Sequence, residues 1–163
     1  MTWTIAPEPY DSPDARALWR AYYTEVSDRW YLLHEGRRTD PDELEREIAA
    51  ADGSDLAPPR GQLLIARYGG EPAGSAGVRL LDAATAELKR VFLLPATRGR
   101  GGAAALVAAA EDAARALGAT ELILDTRSDL VEARTLYSRL GYRETERHND
   151  EPYAEHWFRK SLV

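Results

Sequence analysis

Residues 86–110 read AELKRVFLLPATRGRGGAAALVAAA. An apolar strand, Ala86–Leu93, is stopped by Leu94-Pro95. A basic glycine loop follows, Thr97-Arg98-Gly99-Arg100-Gly101-Gly102. The spacing of Leu106, Val107, Ala110, Ala114 and Leu117 predicts a helix over Gly102–Leu117, closed by Gly118. The next apolar run, Glu121–Thr126, is a buried type of strand. A helix between two strands makes them parallel, in one βαβ unit.

Upstream the pattern differs. Gln62–Tyr68 and Pro72–Leu81 are strands joined by the hairpin signal Gly69-Gly70, and Asp82–Thr85 turns the chain into Ala86–Leu93. Three strands with such short connections form an antiparallel meander. The sheet is therefore mixed, mostly antiparallel with one parallel step, and the class is α+β with helices on the sheet's faces. The N-terminal part adds a strand, Thr2–Ala6, and a helix from Pro13 to Val26 with Ser12 as N-cap. Trp30, Tyr31, Leu32 and Leu33 continue the aromatic character beyond it. A second helix covers Asp42–Ala50, and Ala51–Gly61 is a loop that need not be rigid. Toward the C-terminus, Asp129 and Glu132 read as a capping box for a helix through Leu140, with Gly141 at its end. Tyr142–Arg147 and Glu155–Leu162 read as a terminal strand pair.

The length of 163 residues fits one domain, 1–163. A net charge of −6 argues against a nucleic-acid partner, which requires a basic footprint. Cysteine is absent, which excludes disulfides, thiolate metal sites and cysteine nucleophiles. No apolar run is long enough to span a membrane and no signal peptide opens the chain, so the expected compartment is the cytoplasm. Arginine is nearly the only cation, the lysines being Lys89 and Lys160, which suggests a high-GC bacterial genome. His34, His148 and His156 show no ligand spacing, and no metal site is expected.

Glycines and arginines between a strand and a helix N-terminus make a site for a phosphate or pyrophosphate. The helix end exposes unpaired N–H groups and about half a positive charge, and glycine lets an anion approach the backbone. Gly99-x-Gly101-x-x-Ala104 formally matches the dinucleotide fingerprint, with Asp125 at a plausible distance. That fingerprint belongs to successive parallel βαβ units, and only one exists here. A P-loop is excluded because no Gly-Lys-Ser/Thr follows.

Arg98-x-x-Gly101-x-Ala103, preceded by Phe92-Leu93-Leu94-Pro95, resembles the [Q/R]-x-x-G-x-[G/A] motif of the GNAT (GCN5-related N-acetyltransferase) superfamily. A second stretch, Ala133-x-x-Leu136-Tyr137-x-x-x-Gly141-Tyr142, resembles that family's A-x-x-L-Y-x-x-x-G-[F/Y] signature. The resemblance is clearest over residues 62–147. It implies acetyl-CoA as cosubstrate, bound where strands 86–93 and 121–126 splay apart. Phe92 and Leu93 would then offer backbone groups to the pantetheine arm. Backbone N–H groups from Gly99, Arg100, Gly101, Gly102 and Ala103 would take the pyrophosphate, with Arg98 and Arg100 adding charge. Tyr137 matches the family's general acid, against the plainer reading of a core tyrosine on an apolar helix face. Glu87 matches a general-base position, against that of a partner for Lys89 or Arg90. Many members carry Asn where this chain has Leu130, so one polar contact to CoA is missing or supplied by Ser128 or Asp129.

The resemblance places the acceptor pocket among the first helices and the last strand pair. Those hold Trp19, Tyr22, Tyr23, Trp30, Tyr31, His34, Tyr153, His156 and Trp157, with acidic Glu25, Asp28 and Glu35. Aromatic faces and carboxylates suit a cationic amine, although each aromatic singly could be core. The expected function is acetyl transfer from acetyl-CoA to a primary amine by direct attack in a ternary complex, with a small-molecule acceptor. The alternative is a non-catalytic acyl-CoA sensor of the same fold. Homodimers are common in the family, and the terminal strands offer an edge for one.

Overall fold

A computed structural model describes residues 1–163. Seven strands form one sheet: β1 (Trp3–Pro7), β2 (Gly61–Tyr68), β3 (Glu71–Leu80), β4 (Thr85–Leu93), β5 (Glu121–Thr126), β6 (Arg143–Thr145) and β7 (His156–Ser161). Their order is β1-β2-β3-β4-β5-β7-β6. Every neighbouring pair is antiparallel except β4–β5, the expected parallel step. Four helices accompany the sheet: α1 (Pro13–Glu35), α2 (Pro41–Ala50), α3 (Gly102–Ala116) and α4 (Val131–Arg139). Apolar side chains pack on both faces. One core joins Leu64, Val78, Leu88 and Leu124 to Leu106 and Val107 of α3. The other joins Leu63, Ile65 and Phe92 to Ala15 and Leu18 of α1. No helix is long and apolar enough to cross a membrane.

Three local expectations change. The first helix does not end at Val26 but runs to Glu35. Nothing in Ser27-Asp28-Arg29 breaks a helix, and Gly36, at φ 68°, supplies the left-handed stop. The loop 51–61 is pinned: Leu56, 2% exposed, plugs the face of Gly77, where a Cβ would lie 2.8 Å from it. Burying that leucine contributes about 1.5–3 kcal/mol. The capping box does not form. Asp129 is taken by Arg127 at 2.9 Å and Glu132 by Arg29 of α1, so the start of α4 is tied to α1 instead of to itself. At the C-terminus the expected strand pair forms, with β7 between β5 and a three-residue β6.

Strand β4 departs from regular pairing on both of its edges. Its pairing to β5 covers only Thr85–Glu87 against Glu121–Ile123, after which the strands part. Its pairing to β3 slips between Ser75 and Gly77, leaving one extra residue on β4. Arg90, at φ 56°, lies in this bulge, and the Ser75 hydroxyl donates to its carbonyl at 3.0 Å. Such a bulge breaks the strand's alternation. Ala86 and Leu88 pack in the α3 core before it, while Phe92 joins the α1 core after it.

Candidate functional site

The parting of β4 and β5 opens a cleft of 840 Å³. Its walls include β4 from Glu87 to Leu93, the glycine loop, Leu124–Thr126 of β5, and the inner face of α4. Among the predicted site residues, Glu87, Phe92, Leu93, Arg98, Gly99, Gly101, Gly102, Ala103 and Tyr137 line it. Arg100 does not. Its guanidinium stands 5.3 Å over the Tyr68 ring, turned toward β2.

The loop is an anion cradle made of backbone. Gly99 and Gly101 have φ of 79° and 81°, a conformation costly for any residue with a Cβ. The N–H groups of Gly99, Arg100, Gly101, Gly102, Ala103 and Ala104 donate to no acceptor in the protein; the first bonded amide of the helix is that of Ala105. Six free donors at a helix N-terminus fit a pyrophosphate. Gly102 is glycine for another reason. A Cβ there would lie 2.4 Å from the Trp3 indole, and Trp3 Nε1 donates to the Arg100 carbonyl at 2.9 Å. Strand β1 thus straps the loop from behind. Arg98 lines the cleft but is engaged: its guanidinium donates to the Leu93 carbonyl at 2.9 Å and pairs with Glu25 of α1 at 2.8 Å. The Phe92 carbonyl faces β3 at Gly74.

Tyr137 is 7% exposed, edge-on to Tyr142 at 5.8 Å. Its hydroxyl has no partner among the protein's hydrogen bonds. Burial, with Tyr22 and Asp125 nearby, holds the phenol well above the usual tyrosine range, so it stays protonated. The signature's other tyrosine is structural. Tyr142 donates to buried Glu111 at 2.8 Å, and Lys160 completes that buried network at 3.0 Å. Glu87, 6% exposed, sits at the apex of the opening. Its Oε1 accepts from Arg79 Nε at 2.9 Å, with Lys89 farther off at 3.9 Å. Its ion partner is therefore Arg79, not Arg90, which stacks on Trp19 at 3.9 Å.

A second cavity of 420 Å³ lies between α1, α2 and the segment after β5. It shares Tyr22, Val26, Asp125, Thr126, Leu130 and Glu151 with the cleft, so the two adjoin through a common wall. It gathers the predicted aromatics Trp19, Tyr22, Tyr23, Trp30, Tyr31 and Tyr153. His34, His156 and Trp157 lie outside it: His34 stacks on Trp30, and His156 bridges Ser128 and Glu144. The expected acids are also elsewhere. Glu25 pairs with Arg98, Asp28 accepts from the Thr39 amide, and Glu35 pairs with Arg37. The carboxylates that do line the cavity are Glu43, Glu47, Asp125 and Glu151, against one cation, Arg127, which is bound to Asp129. Sequence reasoning missed Glu43 and Glu47. Their i,i+4 spacing on α2 was visible, but the pairing of α2 with α1 was not. Leu130 stands in the common wall, and neither Ser128 nor Asp129 lines the cleft in its stead.

The comparisons with known proteins agree with this fold. The model of the Acetyltransferase (GNAT) family matches residues 14–142. An uncharacterized N-acetyltransferase of Escherichia coli, YjgM, is 36% identical over 81 residues; the match spans 48% of this chain and 48% of that protein, about half the relative's length. A Klebsiella pneumoniae protein assigned as an acyl-CoA N-acyltransferase superposes with a TM-score of 0.74 at 25% identity, covering 99% of each chain. The PaiA N-acetyltransferase of Thermoplasma acidophilum, solved in complex with coenzyme A, superposes with a TM-score of 0.74 at 14% identity, again over 99% of each chain. The chain belongs to the GNAT acetyltransferase family.

Proposed function

We propose that the protein is an acetyl-CoA-dependent N-acetyltransferase whose acceptor is a small cationic amine. The observation that carries this reading is the second cavity. Six aromatic side chains and four carboxylates surround it, and it adjoins the cleft through a shared wall. Aromatic faces and negative charge attract an ammonium group, and the cavity's 420 Å³ is of small-molecule size.

The cleft's residues fit the cosubstrate. The free amides of Gly99, Gly101, Gly102, Ala103 and Ala104 bind the pyrophosphate, and the unpaired edge of β4 beyond Glu87 receives the pantetheine arm as an added strand. The alternation of β4 aims the Leu93 amide, not the Phe92 carbonyl, into the opening. Acetyl-CoA supplies the activated acyl group. Tyr137, protonated and unpartnered, donates its phenolic proton to the departing sulfur. Glu87 and Asp125 both line the cleft, and one of these carboxylates takes the amine's proton, directly or through water. Both substrates sit in adjoining cavities, so the amine attacks directly and no acyl-enzyme is needed.

Thiol release from acetyl-CoA across polyamines, amino acids, aminoglycosides and lysine peptides tests this reading. The chain has no cysteine to add background. Transfer to a small cationic amine is the expected result. Calorimetric binding of acetyl-CoA with no transfer to any acceptor would favour the sensor alternative instead.

A further inference from the structure

Asp125 stands two residues past Ile123, the last residue of β5 paired to β4. It therefore lies on the open arm of the cleft, and it lines both cavities. Glu151 also lines both, but it is exposed on a loop. Asp125 is half-buried and held. Asn149 Nδ2 donates to its Oδ2 at 2.7 Å, and Asn149 Oδ1 in turn accepts from Trp157 Nε1 at 2.9 Å. An indole nitrogen only donates and a carboxylate only accepts, so this chain fixes the direction of the amide. Asp125 Oδ1 has no partner within the protein. Tyr22 of α1 and Tyr137 of α4 line the same cleft as Asp125. The one cation lining the second cavity, Arg127, is held by Asp129. Glu87 lines only the cleft, and its partner is a cation, Arg79, which holds it in an ion pair, whereas Asp125 is held by a neutral amide.

We propose that Asp125, rather than Glu87, is the carboxylate that receives the acceptor ammonium and takes its proton, and that Asn149 positions it. This rests on the acetyltransferase reading. Asp125 Oδ1 takes one proton from the ammonium. The neutral nitrogen attacks the thioester carbon, the N–C bond forms and the C–S bond breaks. Tyr137 gives its proton to the sulfur and regains one from the nitrogen's second release. The net products are the acetamide, the free thiol and one proton, which Asp125 passes to solvent.

The test compares wild type, Asp125→Asn and Glu87→Gln with putrescine, n-butylamine and histamine, and with hydroxylamine, which enters uncharged near neutral pH. Asp125→Asn lowers kcat/KM for the best cationic amine by roughly 100-fold and leaves hydroxylamine within about tenfold. Glu87→Gln, which loosens the Arg79 pair at the apex of the cleft, acts alike on both and leaves their ratio within about threefold. Calorimetry on the CoA-saturated protein gives a readout without turnover: Asp125→Asn weakens the same amine by about tenfold or more, and Glu87→Gln does not. Asn149→Ala lowers kcat and raises the amine KM while leaving the acetyl-CoA KM unchanged, which a merely structural role would not do. Equal loss toward charged and uncharged nucleophiles from Asp125→Asn, or a loss selective for the cationic amine from Glu87→Gln, overturns the role of Asp125. Absence of transfer by wild type to every nucleophile overturns the acetyltransferase reading, and this role with it.

Discussion

The two cavities are built by opposite means. The cleft is made of backbone: a splayed strand edge and six free amides in a glycine loop. The second cavity is made of side chains brought together from α1, α2, β5 and the segment before β7. A backbone site needs a short local pattern of glycine, arginine and helix start, so it shows in the sequence as a contiguous motif. A side-chain site has no such pattern, because its residues run from Trp19 to Ala154 and meet only through tertiary packing. Chemistry on the cosubstrate should therefore be sensitive to single changes in the cleft. Recognition of the amine should be spread over several side chains of modest individual effect.

The largest expected effect lies at the junction of the two. Tyr137→Phe removes the proton donor and lowers kcat by roughly 100-fold, with acetyl-CoA affinity unchanged by calorimetry. Burial raises the Tyr137 phenol, so its acid form persists as pH rises. The pH–rate profile should then show no loss from this group near the ordinary tyrosine value of about 10. Within the loop, two adjacent glycines separate binding from packing. Gly102→Ala drives a methyl into the Trp3 indole and destabilises the fold by about 1–3 kcal/mol, read by denaturant titration. Gly101→Ala meets no atom within 4 Å but must hold φ 81°, at a cost of roughly 1–2 kcal/mol, and its loss should fall on acetyl-CoA binding. In the acceptor cavity, Glu43→Gln with Glu47→Gln raises the amine KM by only roughly two- to fivefold, because both carboxylates remain partly solvated. The acetyl-CoA KM should not move. The smallest change is Leu130→Asn, which places an amide in the common wall and lowers the acetyl-CoA KM by roughly threefold. A large effect of the α2 variants on acetyl-CoA, or none of Tyr137→Phe on kcat, would break the contrast.

The same division explains what the sequence disclosed of the fold. Strands β2 to β5 and helix α3 follow from alternation, hairpin glycines and the switch to helical spacing, all local signals. The length of α1 did not, because its end depends on the one residue Gly36 and no earlier breaker exists. The start of α4 misled for a tertiary reason: Asp129 and Glu132 have the spacing of a capping box, yet Arg127 and Arg29 outcompete the helix for them. The bulge at Arg90 was open in the sequence as a blurred alternation of charges, but its position needed the register with β3. At the site, the loop and Tyr137 were legible as motifs. The partner of Glu87 and the acids of the acceptor cavity were not, since Arg79, Glu43 and Glu47 reach their places only through strand and helix pairing.

Two adjoining cavities that hold both substrates at once are the core of the account, and initial-rate kinetics tests that most directly. Thiol release is measured with acetyl-CoA varied at several fixed concentrations of the best amine. The account predicts intersecting double-reciprocal lines, the signature of a ternary complex. Parallel lines, with an acetylated form of the protein detected by mass spectrometry, would contradict it.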